Sequence, residues 1–99
     1  MDESYFSVSH CTTEEGEVLG FYLKFPNKYS ISVIFGGHAM SDEVYLTQVG
    51  EKFEYSCSNA EIAVINPEGQ IVPFTENALV KGNVTPEQLP QIIFWAMSR

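Results

Sequence analysis

Residues 20–37 run GFYLKFPNKYSISVIFGG, and their alternation decides the fold. Phe21, Leu23 and Phe25 fall on one side of an extended chain, with Tyr22 and Lys24 on the other. Beyond the turn, Ile31, Val33 and Phe35 alternate with Ser30 and Ser32 in the same way. Successive side chains of a strand point to opposite faces, so this pattern predicts a β-hairpin with one apolar face. Pro26-Asn27-Lys28 closes it: Pro26 fixes its own φ and Asn27 tolerates unusual backbone angles.

Outward from this hairpin the signals are weaker. Upstream, residues 5–9 (YFSVS) predict a short strand, and the polar TTEEGE of residues 12–17 predicts a turn leading into the strand of residues 19–25. Downstream, GGHAMSDE is expected to be a loop. Residues 44–55 carry aromatics without a clean period, which suggests no more than a short strand. Ala60-Glu61-Ile62-Ala63-Val64-Ile65 restores a strand, apolar on both sides apart from Glu61. Asn66-Pro67-Glu68-Gly69 has the composition of a type I turn, and Ile71-Val72-Pro73-Phe74 is the return strand, which Pro73 assigns to an edge.

The period changes at the C-terminus. Thr85-Pro86-Glu87-Gln88 matches a capping box, with Thr as N-cap and Pro at the first helical position. Leu89, Ile92, Ile93, Ala96 and Met97 then share one helical face, leaving Phe94 and Trp95 beside it. Pro90 opposes so early a start, because inside a helix it removes a hydrogen bond. The expected class is α+β: an antiparallel sheet of about four to six strands packed against one C-terminal amphipathic helix, in a single domain over residues 1–99.

The segment Tyr29-Ser30-Ile31-Ser32-Val33-Ile34-Phe35-Gly36 after a Gly-Phe-x-Leu-x-Phe strand resembles small, functionally uncharacterised proteins of bacteriophages and related mobile elements. So do Ala60-Glu61-Ile62-Ala63-Val64 with a turn at Gly69, and the closing helix from Thr85-Pro86-Glu87 to Arg99. The likeness departs at Gly37-His38-Ala39-Met40, where those proteins carry an aromatic-containing loop. It implies a small phage accessory protein acting in the cytoplasm of an infected bacterium, and it brings no catalytic residues with it.

Charge narrows the partner class. Thirteen acids oppose five bases, for a net charge of −8, spread as seven against two in residues 1–50 and six against three in residues 51–99. A uniformly acidic exterior repels phosphate backbones, so direct nucleic-acid binding is not expected, and it favours encounter with basic proteins. The N-terminus has neither the basic nor the apolar region of a signal peptide, and the longest apolar run, residues 92–97, is too short to span a bilayer. The expected location is therefore cytoplasmic, with no membrane partner.

No reactive constellation stands out. Cys11, Cys57, His10 and His38 make a Cys2His2 set by count, but lack the close paired spacing of zinc ligands. Neither a metal nor another cofactor is expected, nor is enzymatic activity. The candidate contact residues are Gly36, Gly37, His38, Asp42, Glu43, Tyr45, Phe94 and Trp95. Successive glycines can aim N–H groups at an anion, although no lysine or arginine lies within six residues of Gly36–His38. Asp42, Glu43 and Tyr45 follow that loop, and large aromatics such as Phe94 and Trp95 anchor interfaces. The preferred expectation is a protein that binds and inhibits a host protein with a basic surface, such as a defence factor. The alternatives are a small-molecule binder that sequesters a nucleotide-like signal, and a structural virion component. A homodimer is compatible with all three.

Overall fold

The computed structural model describes residues 5–10, 17–74 and 79–99. The element order is β1 (Phe6–His10), β2 (Val18–Lys24), β3 (Ser30–Gly36), β4 (Tyr45–Val49), β5 (Lys52–Cys57), β6 (Ala60–Ile65), β7 (Ile71–Val72), β8 (Val80–Val84) and α1 (Leu89–Met97). The class is α+β, as expected, but among the described residues the strands number eight and form two sheets rather than one. All their pairings are antiparallel. The larger sheet orders β2-β3-β6, and the far edge of β6 is shared by β7 at Val64–Ile65 and β8 at Ala60–Ala63. The smaller sheet orders β1-β5-β4.

The register explains the larger sheet. Leu19, Phe21 and Leu23 of β2 lie opposite Phe35, Val33 and Ile31 of β3, which in turn lie beside Ile62 and Val64 of β6. Every second residue thus meets an apolar neighbour on one face, and Ile31, Val33, Phe35, Ile62 and Val64 lose all contact with solvent. Leu89, Ile92 and Ala96 of α1 cover part of this face, and the smaller sheet covers more of it through Phe6, Tyr55 and Cys57, with the Phe6 and Phe21 rings 6.5 Å apart. The opposite face carries Tyr22, Lys24, Ser30 and Ser32.

Several local expectations are corrected. At the β2–β3 turn the left-handed residue is Lys28 (φ 68°), not Asn27. Asn27 instead accepts the Tyr29 N–H at 3.1 Å and donates to the Ala96 carbonyl at 2.8 Å, tying the hairpin to the last turn of the helix. The helix begins at Leu89 with Gln88 as N-cap, which puts Pro90 in the first turn, where no N–H is needed. Thr85 is therefore not the N-cap. Half of the expected box survives as a separate turn, in which the Gln88 side chain accepts the Thr85 N–H at 3.0 Å. Residues 45–57 form a full hairpin instead of one short strand, and β8 went unrecognised. The turn expected at residues 12–17 lies outside the described residues except for Glu17, and Cys11 lies outside them altogether. Among the described residues no helix is long and apolar enough to cross a membrane.

Candidate functional site

The loop after β3 and the hairpin that follows it are held by polar contacts. Gly36 and Gly37 both take positive φ (78° and 52°), and the Ala39 N–H bonds to the Gly36 carbonyl at 2.9 Å. The Gly36 amide donates to Ser41 Oγ at 3.0 Å. That amide is thus occupied within the chain, which leaves an anion cradle at this loop one donor short. His38 projects into solvent.

Two residues further on, the loop is fastened to both sheets. Asn59 is one of two residues linking β5 of the smaller sheet to β6 of the larger, and it is buried. Its Oδ1 accepts the Asp42 N–H at 2.7 Å and the Asn83 Nδ2 at 3.1 Å. The Asp42 carbonyl accepts the Cys57 thiol at 3.2 Å, and the Asp42 carboxylate accepts Asn83 Nδ2 at 3.3 Å. The Asn83 N–H reaches the Met40 carbonyl at 2.8 Å. Gly82 permits this approach, because a Cβ there would stand 2.5 Å from Met40 Cβ. Cys57, at 1% exposure, is a core residue of this junction. Asp42 belongs to the junction too, with its backbone and one carboxylate oxygen engaged.

From this anchored base the β4–β5 hairpin extends. A two-residue turn, Gly50-Glu51, joins Val49 to its partner Lys52. Gly50 takes φ 64° at the first turn position, which suits a type II′ turn. Every residue of β4 is exposed, including Tyr45 at 70%, Leu46 at 51% and Val49 at 60%. Tyr45, Thr47 and Val49 share a face with Ser56, Glu54 and Lys52 of β5, their cross-strand partners. Ser7 and Ser9 of β1 extend that face, and Ser7 Oγ donates to Glu54 at 2.9 Å. Residues 42–54 contribute four acids (Asp42, Glu43, Glu51 and Glu54) against one base, Lys52. The result is an aromatic and aliphatic strip bordered by carboxylates.

Phe94 and Trp95 do not join this group. Asn27 sets the end of α1 against the β2–β3 turn, whereas Gly36 stands at the far end of β3, about 20 Å along the strand. Phe94 is 75% exposed. Trp95 is half-buried, with its ring 6.3 Å from Phe74 and covered by the Arg99 guanidinium at 4.4 Å. It borders a cleft of about 250 Å³, lined also by Phe74, Lys81, Gln88, Gln91 and Ile92. Sequence reasoning did not find this cleft, because its residues come from three segments with no common motif. Leu46, Val49, Glu51 and Glu54 join the candidate residues only in the structure, where the exposure of all of β4 and its pairing with β5 bring them onto one hairpin. No group of three or more potential metal ligands occurs among the described residues. The chain matches no family model, no curated protein and no solved structure.

Proposed function

We propose that this chain is a non-enzymatic binding protein, of the phage-accessory kind, that occupies and blocks a basic surface on a bacterial host protein. The observation that carries this reading is the β4–β5 hairpin: Tyr45, Leu46 and Val49 exposed on an anchored strand, with Asp42, Glu43, Glu51 and Glu54 around them. Interfaces draw their energy from a few desolvated aromatic and aliphatic anchors, while surrounding charges govern encounter rate and partner choice. Here both parts occur on one hairpin. Its base is fixed by Asn59 and Asn83, so little ordering cost is left for binding. A basic partner complements the net charge of −8, and association weakens as salt rises.

The test is affinity capture from bacterial lysate, with the wild type beside a variant carrying Tyr45→Ser, Glu51→Gln and Glu54→Gln. The reading expects a specific protein retained by the wild type at low salt, released as salt is raised, and not retained by the variant. Retention of the same protein by the variant moves the interface elsewhere. Recovery of none ends the reading.

The cleft beside Trp95 supports a second reading, that of a small-molecule binder. Lys81 supplies a cation, Gln88 and Gln91 supply amides, and Phe74 with Trp95 supplies aromatic surface, a combination suited to an anionic heterocycle. This relocates the nucleotide-like ligand away from Gly36–His38. Calorimetric titration with mononucleotides and cyclic dinucleotides decides it: binding lost in Lys81→Ala supports the reading, and no heat with any of them removes it.

A further inference from the structure

Among the described residues the outer edge of β4 is open. β4 pairs with β5 on one side, and no described strand lies on the other. Exposed edges are ordinarily protected by Lys, Pro, a bulge or an inward charge. YLTQV has no lysine, no proline and no charge, and its ladder to β5 is regular from Tyr45 to Val49. YLTQV itself brings no charge to a second copy of the chain, and the nearest carboxylates, Glu43 and Glu51, lie beyond its two ends.

The hydrogen-bond phase selects the pairing. In a two-residue hairpin the closing pair, here Val49 and Lys52, exchanges both backbone hydrogen bonds, and the pattern repeats every second residue. Tyr45, Thr47 and Val49 thus direct their N–H and C=O groups at β5, while Leu46 and Gln48 direct theirs outward. An antiparallel second copy centred on Thr47 sets Leu46 opposite Gln48 of the other copy and Gln48 opposite its Leu46. Those two pairs satisfy all four outward N–H and C=O pairs of groups through four intermolecular hydrogen bonds. Thr47 then faces Thr47, and Tyr45 faces Val49, as closely spaced non-hydrogen-bonded pairs. Threonine pairs and aromatic–β-branched pairs are among the favourable cross-strand combinations.

We propose that two copies of this chain associate through β4, related by a two-fold axis at Thr47, to form a continuous six-stranded sheet with strand order β1-β5-β4-β4-β5-β1. The proposal stands apart from the host-partner reading. If both hold, the dimer presents two copies of the Tyr45 and Glu54 face on one side of one sheet.

Sedimentation equilibrium of the full chain tests this, with an expected mass of twice 11.1 kDa at micromolar concentration. Thr47 is exposed, so Thr47→Lys and Thr47→Glu leave the monomer folded, as circular dichroism will verify. Each variant alone is expected to sediment as a monomer, because like charges meet at the axis. An equimolar mixture is expected to regain the dimer. A second measurement uses Thr47→Cys in a Cys11→Ser background, with oxidised glutathione as the oxidant. A non-hydrogen-bonded antiparallel pair holds its Cα atoms about 4.5 Å apart, within disulfide range, so a covalent dimer forms. Val49→Cys in the same background is expected to remain uncrosslinked, because the two positions lie about 14 Å apart along the paired strands. A monomeric wild type overturns the proposal. So does a dimer that persists in both Thr47→Lys and Thr47→Glu, or equal crosslinking at positions 47 and 49.

Discussion

The β2–β3 hairpin and the β4–β5 hairpin have the same connectivity but different surroundings. In β3, Ile31, Val33 and Phe35 are wholly buried and alternate with partly exposed residues. In β4 all five residues are exposed, with no alternation in environment at all. A strand that forms the floor of a core has its residue types dictated by that core. A strand that reaches past the core is released from that demand, and Tyr45, Leu46 and Val49 are not explained by packing among the described residues. The proposed binding reading rests on these exposed residues: in it, Tyr45, Leu46 and Val49 make their contact outside the chain.

The sharpest way to break this comparison is to remove core volume. Phe35→Ala in β3 is expected to cost about 3–5 kcal/mol, because the side chain is fully buried and a cavity replaces it. Urea unfolding followed by circular dichroism measures this, and a loss below about 1 kcal/mol would show that β3 is not the floor of the core.

The difference also explains how much of the fold was legible in the sequence. β6 could be read from an apolar run buried on both faces, and the β2–β3 hairpin could be read because one face is apolar and the other is not, so burial leaves a period of two. The helical face could be read for the same reason at a period of 3.6, although Pro90 shifts the start to Leu89. β4 left no such mark, since neither of its faces is buried. β8 was hidden by its composition, VKGNV, in which Gly82 serves Met40 and Asn83 takes φ 53°. The junction around Asn59 was not legible at all, because its partners lie 15 to 43 residues apart and share no spacing rule. Of the candidate site, Asp42, Glu43 and Tyr45 are legible from their place after the glycine loop. Leu46, Val49, Glu51 and Glu54 required the hairpin to be seen.

The junction offers the next largest effect. Asn59→Ala removes the acceptor shared by the Asp42 N–H and Asn83 Nδ2 and leaves the buried end of that network unpaired. The expected cost is about 1–3 kcal/mol. Because the contact anchors the base of the β4–β5 hairpin, amide hydrogen exchange in β4 is expected to quicken more than in β3. Uniform quickening in both strands would mean that the two hairpins are not separately secured.

Asn27→Ala probes the other end of the molecule on a smaller scale. It removes the hydrogen bonds to the Ala96 carbonyl and from the Tyr29 N–H, with an expected cost of about 1 kcal/mol. Exchange of amides near the C-terminus of α1 should rise, while β4 stays unchanged. A response in β4 would show that the two ends are coupled through the core.

The smallest expected change in stability sharpens the comparison most. Tyr45 is 70% exposed, so Tyr45→Ser is expected to shift unfolding by no more than about 0.5 kcal/mol. Burial at an interface reverses that expectation for binding, since an anchoring aromatic commonly contributes about 2 kcal/mol or more, roughly a thirtyfold change in affinity. The two measurements together separate the explanations for an exposed tyrosine. If Tyr45 only decorates the strand, neither stability nor association responds to its loss. If it packs within the fold, both fall together. Unchanged stability with weakened association, whether with a host protein or with a second copy, is the outcome that makes β4 a contact strand.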